Sequence, residues 1–301
     1  MDNWIIRDAM YELIRISEHD YYIDCPAKIG VVRIDDDSVV LIDSGSDKDA
    51  GKKVLKILDE KSWKVKAIYN THSHADHIGG NKLIQQRTGC EIYVPALEYV
   101  YTVDPVLESI GLYGGLPFSD IQNKFLMAQP SEAKPLTESA LPTGFELIRL
   151  PGHSFNMVGF KTPDETVYIA DSISSEETLK KYGIGYMWDP GEALKTLELL
   201  KTIEGKVFVS AHAEVTDCIN EIIDVNIASI RNVEESILRL SEQGITFENL
   251  LKALFDEYSM TMSVQQYVLI GSTVRSYLSS MYSDGLLTFE FKDNKMIWKK
   301  K

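Results

Sequence analysis

The sequence predicts an α/β fold followed by a smaller helical unit, within 301 residues. Three observations predict it. Short β-branched runs alternate with helical periodicities between Ile29 and Ser210, one long amphipathic stretch begins at Ile219, and the chain closes on a strand–turn–strand pattern. The length suits one large domain and one small one, placed at 1–216 and 217–301. With 44% apolar and 25% charged residues, the composition is ordinary for a globular chain.

Residues 29–34 and 38–43 are β-branched runs separated by Asp35-Asp36-Asp37, a hairpin signal. Val54, Leu55 and Leu58 then recur at helical spacing. Residues 65–70 form a strand that leads into a histidine-rich segment, followed by a helix from Ile78 to its stop at Gly89 and a strand over 91–94. Residues 98–144 break this rhythm. They are rich in Gly, Pro and aromatics, and read as an irregular insertion lying over or beside the site. Regularity returns with strands over 145–150, 158–161 and 167–170, the last ending at Asp171. A helix over 191–202 and a strand over 206–210 follow.

Beyond that point Ile222, Val225, Ile230, Val233, Ile237 and Leu240 mark one long helix over 219–243, with Gly244 as its stop. A second helix is expected between Thr246 and Tyr258, and a third over 273–282. A hairpin turning at Asp293-Asn294 ends the chain, which gives the outline of a winged helix.

No apolar run approaches the roughly 18 residues that a membrane helix needs, and Met1-Asp2-Asn3-Trp4 lacks the layout of a secretory signal. Cys25, Cys90 and Cys218 are scattered without metal-ligand spacing and read as reduced thiols, so a cytoplasmic location without membrane association is expected. A net charge of −14 weighs against nucleic acid as a partner, because phosphate contacts favour basic surfaces.

Chemistry enters with the histidines. Five of the six fall in one pattern: Thr71-His72-Ser73-His74-Ala75-Asp76-His77, then His153 in Pro-Gly-His-Ser and His212 in Ser-Ala-His-Ala, with Asp171 between them in Ile-Ala-Asp-Ser. His72 and His74, two apart at a strand end, share a face, while Asp76 and His77 come as the chain turns into the next helix. Imidazole and carboxylate together suit borderline divalent ions such as zinc, iron or manganese. Seven such groups exceed what one tetrahedral ion takes, and suit two adjacent ions that share a carboxylate.

These residues carry a resemblance. His72-Ser73-His74-Ala75-Asp76-His77 fits the H-x-H-x-D-H motif of the metallo-β-lactamase superfamily, and the chain is most similar to the hydrolase branch typified by glyoxalase II. The match covers roughly residues 10 to 215, and Asp43 in Leu41-Ile42-Asp43-Ser44-Gly45 matches a supporting aspartate. The resemblance implies an αββα sandwich with two divalent ions at one edge, zinc foremost and iron or manganese as alternatives. It assigns His72, His74 and His153 to the first ion, Asp76, His77 and His212 to the second, and Asp171 as the bridge. A hydroxide held between the ions would attack a small ester, thioester or lactone, with Asp76 as the catalytic residue that positions it.

Neighbouring chemistries are weighed on single positions. True β-lactamases of this superfamily usually carry Cys where this chain has Asp171, and flavodiiron relatives carry Glu in place of His74. A mononuclear iron dioxygenase, similar to the persulfide dioxygenases, would use the first site alone. The C-terminal helices and hairpin also resemble the tail of a subgroup that includes an endoribonuclease, so a metal-dependent endoribonuclease or phosphodiesterase of the same fold is the alternative. Lys292, Lys295, Lys299, Lys300 and Lys301 make the hairpin basic, yet the third helix offers little beyond Arg275, which favours packing or a homodimer contact over nucleic-acid binding. The expected partner is a small-molecule substrate. Its pocket is assigned to Tyr113 and Phe118 of the insertion and to Tyr182, Tyr186 and Trp188 after Asp171.

Overall fold

The computed structural model of the chain describes residues 11–301, so the reading of Met1 to Trp4 lies outside the described residues. Four antiparallel strands come first: β1 (Glu12–Arg15), β2 (Asp20–Asp24), β3 (Ile29–Arg33) and β4 (Ser38–Ile42). Helix α1 (Lys48–Glu60), capped by the Asp47 carboxylate on the N–H groups of Asp49 and Ala50, crosses over to β5 (Lys64–Tyr69). Two short helices, α2 (Ala75–Ile78) and α3 (Asn81–Thr88), then lead to β6 (Glu91–Val94). Helices α4 (Ala96–Val103) and α5 (Val106–Tyr113) precede β7 (Lys134–Pro135). These seven strands form one sheet in chain order, parallel from β4 onward.

The second sheet holds β8 (Glu146–Arg149), β9 (Val158–Lys161), β10 (Thr166–Ser174) and, after α6 (Glu176–Tyr182) and α7 (Pro190–Leu200), β11 (Val207–His212). Its order is β11-β10-β9-β8, with β10 and β11 parallel. The tail comprises α8 (Asn220–Leu240), α9 (Phe247–Glu257), α10 (Val264–Ser283) and the hairpin β12 (Leu287–Lys292) and β13 (Lys295–Lys300).

Strand alternation explains the layers. Val32, Val40 and Ile42 face Phe160, Tyr168 and Val209 across the space between the sheets. Their neighbours Val31, Val39 and Leu41 face the other way, onto Val54, Leu55 and Leu58 of α1. On the far side of the second sheet, Val167, Ile169 and Phe208 pack with α7 and with α8, α9 and α10 in one continuous core. The αββα sandwich is therefore the observed architecture, with the C-terminal helices sealing its outer face.

Several sequence readings are corrected. The insertion is irregular only beyond Gly114: α4 and α5 fill its first part, each opening on a proline, Pro95 and Pro105, and α5 closing on left-handed Gly114. Helix α6, capped by Ser175, fills the segment from Glu176 to Tyr182, and Tyr186 and Trp188 lie in the loop that follows it. Strand β10 continues past Asp171 to Ser174, because left-handed Ala170 (φ 48°) bulges it before pairing resumes between Ser174 and His212. Helix α8 stops at Leu240, before Gly244. Helix α10 starts at Val264 under a Ser263 cap, nine residues before Thr273. The terminal hairpin turns at Asp293-Asn294, both left-handed, as a type I′ turn requires. Among the described residues no helix is long and apolar enough to cross a membrane.

Candidate metal centre

The site lies at one end of the sandwich, where the chain leaves β4, β5, β8, β10 and β11. Strand β5 ends at Tyr69 and delivers Asn70, Thr71 and His72 at the mouth of the parallel strands. The chain then turns into α2, so that His74 precedes the helix while Asp76 and His77 ride on it. A Cβ on Gly79 would lie 2.2 Å from the backbone of Ser46, so glycine alone lets this corner pack on the loop that follows β4. Ser44 N–H reaches His77 O at 2.8 Å across that contact.

Asp43 orients the imidazoles. Its carboxylate accepts from Thr71 N–H and the Thr71 hydroxyl, both at 2.8 Å, and from His77 Nδ1–H at 2.7 Å. Because Thr71 Oγ1 gives its proton to Asp43, it accepts from His72 Nδ1–H at 3.0 Å. Both rings thereby keep a proton on Nδ1 and turn Nε2 inward. His212 is set in the same sense by Nδ1–H to Pro26 O at 3.0 Å.

Two groups of donors result. His72 Nε2 and His153 Nε2 each lie 3.0 Å from His74 Nδ1, so three ring nitrogens converge on one point. Burial holds all three imidazoles neutral, the form that ligates metal: His72 falls well below its usual range, and His74 and His153 fall to about 4. The second group is Asp76, His77, Asp171 and His212. His212 Nε2 lies 3.3 Å from both Asp76 Oδ2 and Asp171 Oδ2, and His77 Nε2 lies 3.1 Å from Asp171 Oδ1. Asp171 Oδ2 also comes within 3.3 Å of His153 Nε2, which places this carboxylate between the two groups.

The electrostatics fit divalent cations. Burial opposes charge on His77 and His212, but Asp171 and Asp76 overcome it and raise both, His212 to about 10. Burial would likewise raise the two aspartates, yet the histidines around them hold both well below the usual carboxylate range. Protons on His77 and His212 thus stand where a cation belongs. His77 Nε2 and Asp171 Oδ1 face each other at 3.1 Å, buried and without a well-directed hydrogen bond, a pair that a metal ion would satisfy.

Residues not anticipated from the sequence complete the centre. Glu98 of α4, fully buried, accepts from Ser73 N–H (3.2 Å) and the Ser73 hydroxyl (2.6 Å) on one oxygen. Its other oxygen accepts from the Ser154 hydroxyl (2.7 Å) and Asn156 N–H (2.9 Å), so one carboxylate ties the His72–His74 segment to the loop of His153. Glu108 of α5 has Oε1 3.8 Å from His74 Nε2, and burial together with Glu98 raises its carboxyl to about 8. Each is the single charged residue of an apolar eight-residue helix, which is the signal the sequence offered.

Of the five aromatics assigned to the pocket, Tyr186 meets the centre, its ring centroid 5.1 Å from that of His74 and 5.7 Å from that of His153. Trp188 supports the site through its backbone, donating N–H to Gly152 O and His153 O, while its ring packs on Phe155. Tyr113 and Phe118 pair with each other on the insertion, half exposed. Tyr182 ends α6 under Lys181, on the surface.

Comparison with known proteins agrees with this geometry. A probable metallo-hydrolase of Bacillus subtilis is 27% identical over 194 residues, 62% of this chain and 86% of that protein. A hydroxyacylglutathione hydrolase of Trichormus variabilis is 28% identical over 153 residues, and the chain spans 51% of its length. Among solved structures, a beta-lactamase domain protein from Burkholderia ambifaria superposes with a TM-score of 0.71 at 14% identity, covering 97% of this chain and 94% of that one. A metallo-beta-lactamase family protein from Thermus thermophilus gives 0.70 at 15% identity, covering 96% and 97%. These two share the fold, C-terminal helices included. The model of the metallo-beta-lactamase superfamily matches residues 22–212, the span that contains every donor described above, and the chain belongs to that superfamily.

Proposed function

We propose that this metal-dependent hydrolase holds two divalent ions, zinc foremost, and cleaves a small ester, thioester or lactone. The observation that carries the dinuclear reading is the position of Asp171, within 3.3 Å of donors in both groups. Two ions so held would supply a water acidified to near neutrality and would polarise the scissile carbonyl oxygen. His72, His74 and His153 would hold one ion, Asp76, His77 and His212 the other, with Asp171 shared. Asp76, whose side chain is 42% exposed, would orient the attacking water from the more open side of the centre. With that water oriented, its oxygen would bond to the carbonyl carbon, the C–O or C–S bond would break, and a water proton would pass to the departing alcohol or thiol. Cys25, Cys90 and Cys218 are free thiols, which fits a reducing, cytoplasmic setting.

Purified protein tested against ester, thioester and lactone panels before and after chelation should lose activity with its metal and regain it on reloading. Asp76→Ala should lower kcat at least about 100-fold in folded protein. Near-normal turnover by that variant would remove Asp76 from the mechanism. Chelator-sensitive cleavage of single-stranded RNA, with inert thioesters, would replace the substrate class, and one iron per chain would replace the dinuclear reading.

A further inference from the structure

The donors described above have a second wall, built by the tail. A cleft of about 60 Å³ is lined by His153 and Asp171, by buried Met157, Val233 and Tyr277, and by half-buried Ser229 of α8. Apart from His153 and Asp171, no charged side chain lines it. Asn226 is spent on Ser174 and Ile222, and Thr196 on Pro151 O, so these polar groups are unavailable to a guest. The hydroxyls of Ser229 and buried Tyr277 make no hydrogen bond to the described residues.

From these facts we infer that the cleft is the acyl subsite, and that it takes a short, uncharged acyl group. This rests on the hydrolase reading given above. A cavity of about 150 Å³ holds a benzene ring, about 25 Å³ per heavy atom, so this space takes about two or three carbons beyond the carbonyl, as in a butyryl chain. A carboxylate or phosphate at the chain's end would be buried without a cation, which the lining forbids. A glutathione-sized portion bearing carboxylates must therefore lie on the other side of the centre, where Asp76 and His212 are more open. The acyl half is joined directly to the carbon under attack and so occupies the space adjoining the donors, whereas the departing half needs an open exit.

Two measurements separate this inference from the reading it rests on. Saturation-transfer NMR with butyramide, an uncharged acyl mimic that needs no turnover, should show contact with the parent protein. The signal should fall sharply in Ser229→Leu, which puts a larger side chain into the lining, and succinamate should show no such contact. Separately, thioesters sharing one thiol should give a kcat/KM that rises from acetyl to butyryl and falls for octanoyl and succinyl. The butyryl-to-acetyl ratio should drop at least about tenfold in Ser229→Leu, as expected for a pocket that senses methylenes. Because that ratio is internal to each preparation, partial unfolding cancels. Absence of butyramide contact, or an unchanged ratio in Ser229→Leu, overturns the subsite. Ester, thioester and lactone panels that all stay inert alongside Ser229-dependent butyramide contact overturn the proposed substrate class and leave the cleft as a binding site for short neutral groups.

Discussion

Glu98 shows how much one residue decides. Each of its carboxylate oxygens accepts from one backbone N–H and one hydroxyl. The hydroxyls can rotate, but the backbone donors of Ser73 and Asn156 cannot. Glutamine in its place must point an NH2 at one of them whichever way the amide turns, so the isosteric change is not conservative. Glu98→Gln should lower stability by about 2–3 kcal/mol and weaken retention of the ion in the His72–His74–His153 group by about 10- to 100-fold. Elemental analysis after dialysis against a weak chelator should find close to one metal per chain rather than two; two retained at parental affinity would reduce Glu98 to ordinary packing. The donors themselves were legible because His72 to His77 are adjacent in the chain and chemically distinctive. Glu98 was not, since its partners lie 25 to 58 residues away and nothing local announces that contact.

At the scale of elements, the β-branched strands were readable from their residue types, while the helices around the site were not. Helices α4 and α5 are only eight residues long, too short for periodicity to rise above the Gly, Pro and aromatic residues at their ends. The bulge at Ala170 was equally hidden, because alanine gives no hint of a left-handed conformation, and yet it aims Asp171 out of the ladder. The corner between α2 and α3 was missed as well, since the sequence reads as one helix from Ile78 to Gly89, whereas Gly79 and Gly80 break it. With a Cβ only 2.2 Å from Ser46, Gly79→Ala must push α2 off the loop after β4 and carry His77 away from Asp43. The expected cost is about 1–3 kcal/mol in the metal-free protein, read from the urea midpoint, with a weaker second metal as well. An unchanged midpoint would show that the corner can yield without strain.

The whole molecule couples its metal centre to pH, because the second group of donors is a knot of opposite charges locked inside the fold. In the metal-free protein His77 and His212 are raised above their ordinary value by Asp171 and Asp76, His212 to about 10. A histidine raised in this way stabilises the fold fully below about pH 6.5, its unfolded value, and loses that contribution as pH climbs through its folded value. Thermal stability of the chelated protein should therefore decline from neutrality toward pH 10. Metal must displace the same protons, so its affinity should move in the opposite direction and rise with pH over that window. The increase in Tm on adding zinc should accordingly be larger at pH 9 than at pH 6, and calorimetry at pH 7 in buffers of different ionisation enthalpy should register proton release. Chelated His212→Gln, which lacks one of the two titrating rings, should show a flatter decline. A metal-free Tm that climbs between pH 7 and pH 10 would mean that protons on these histidines do not hold the empty centre together.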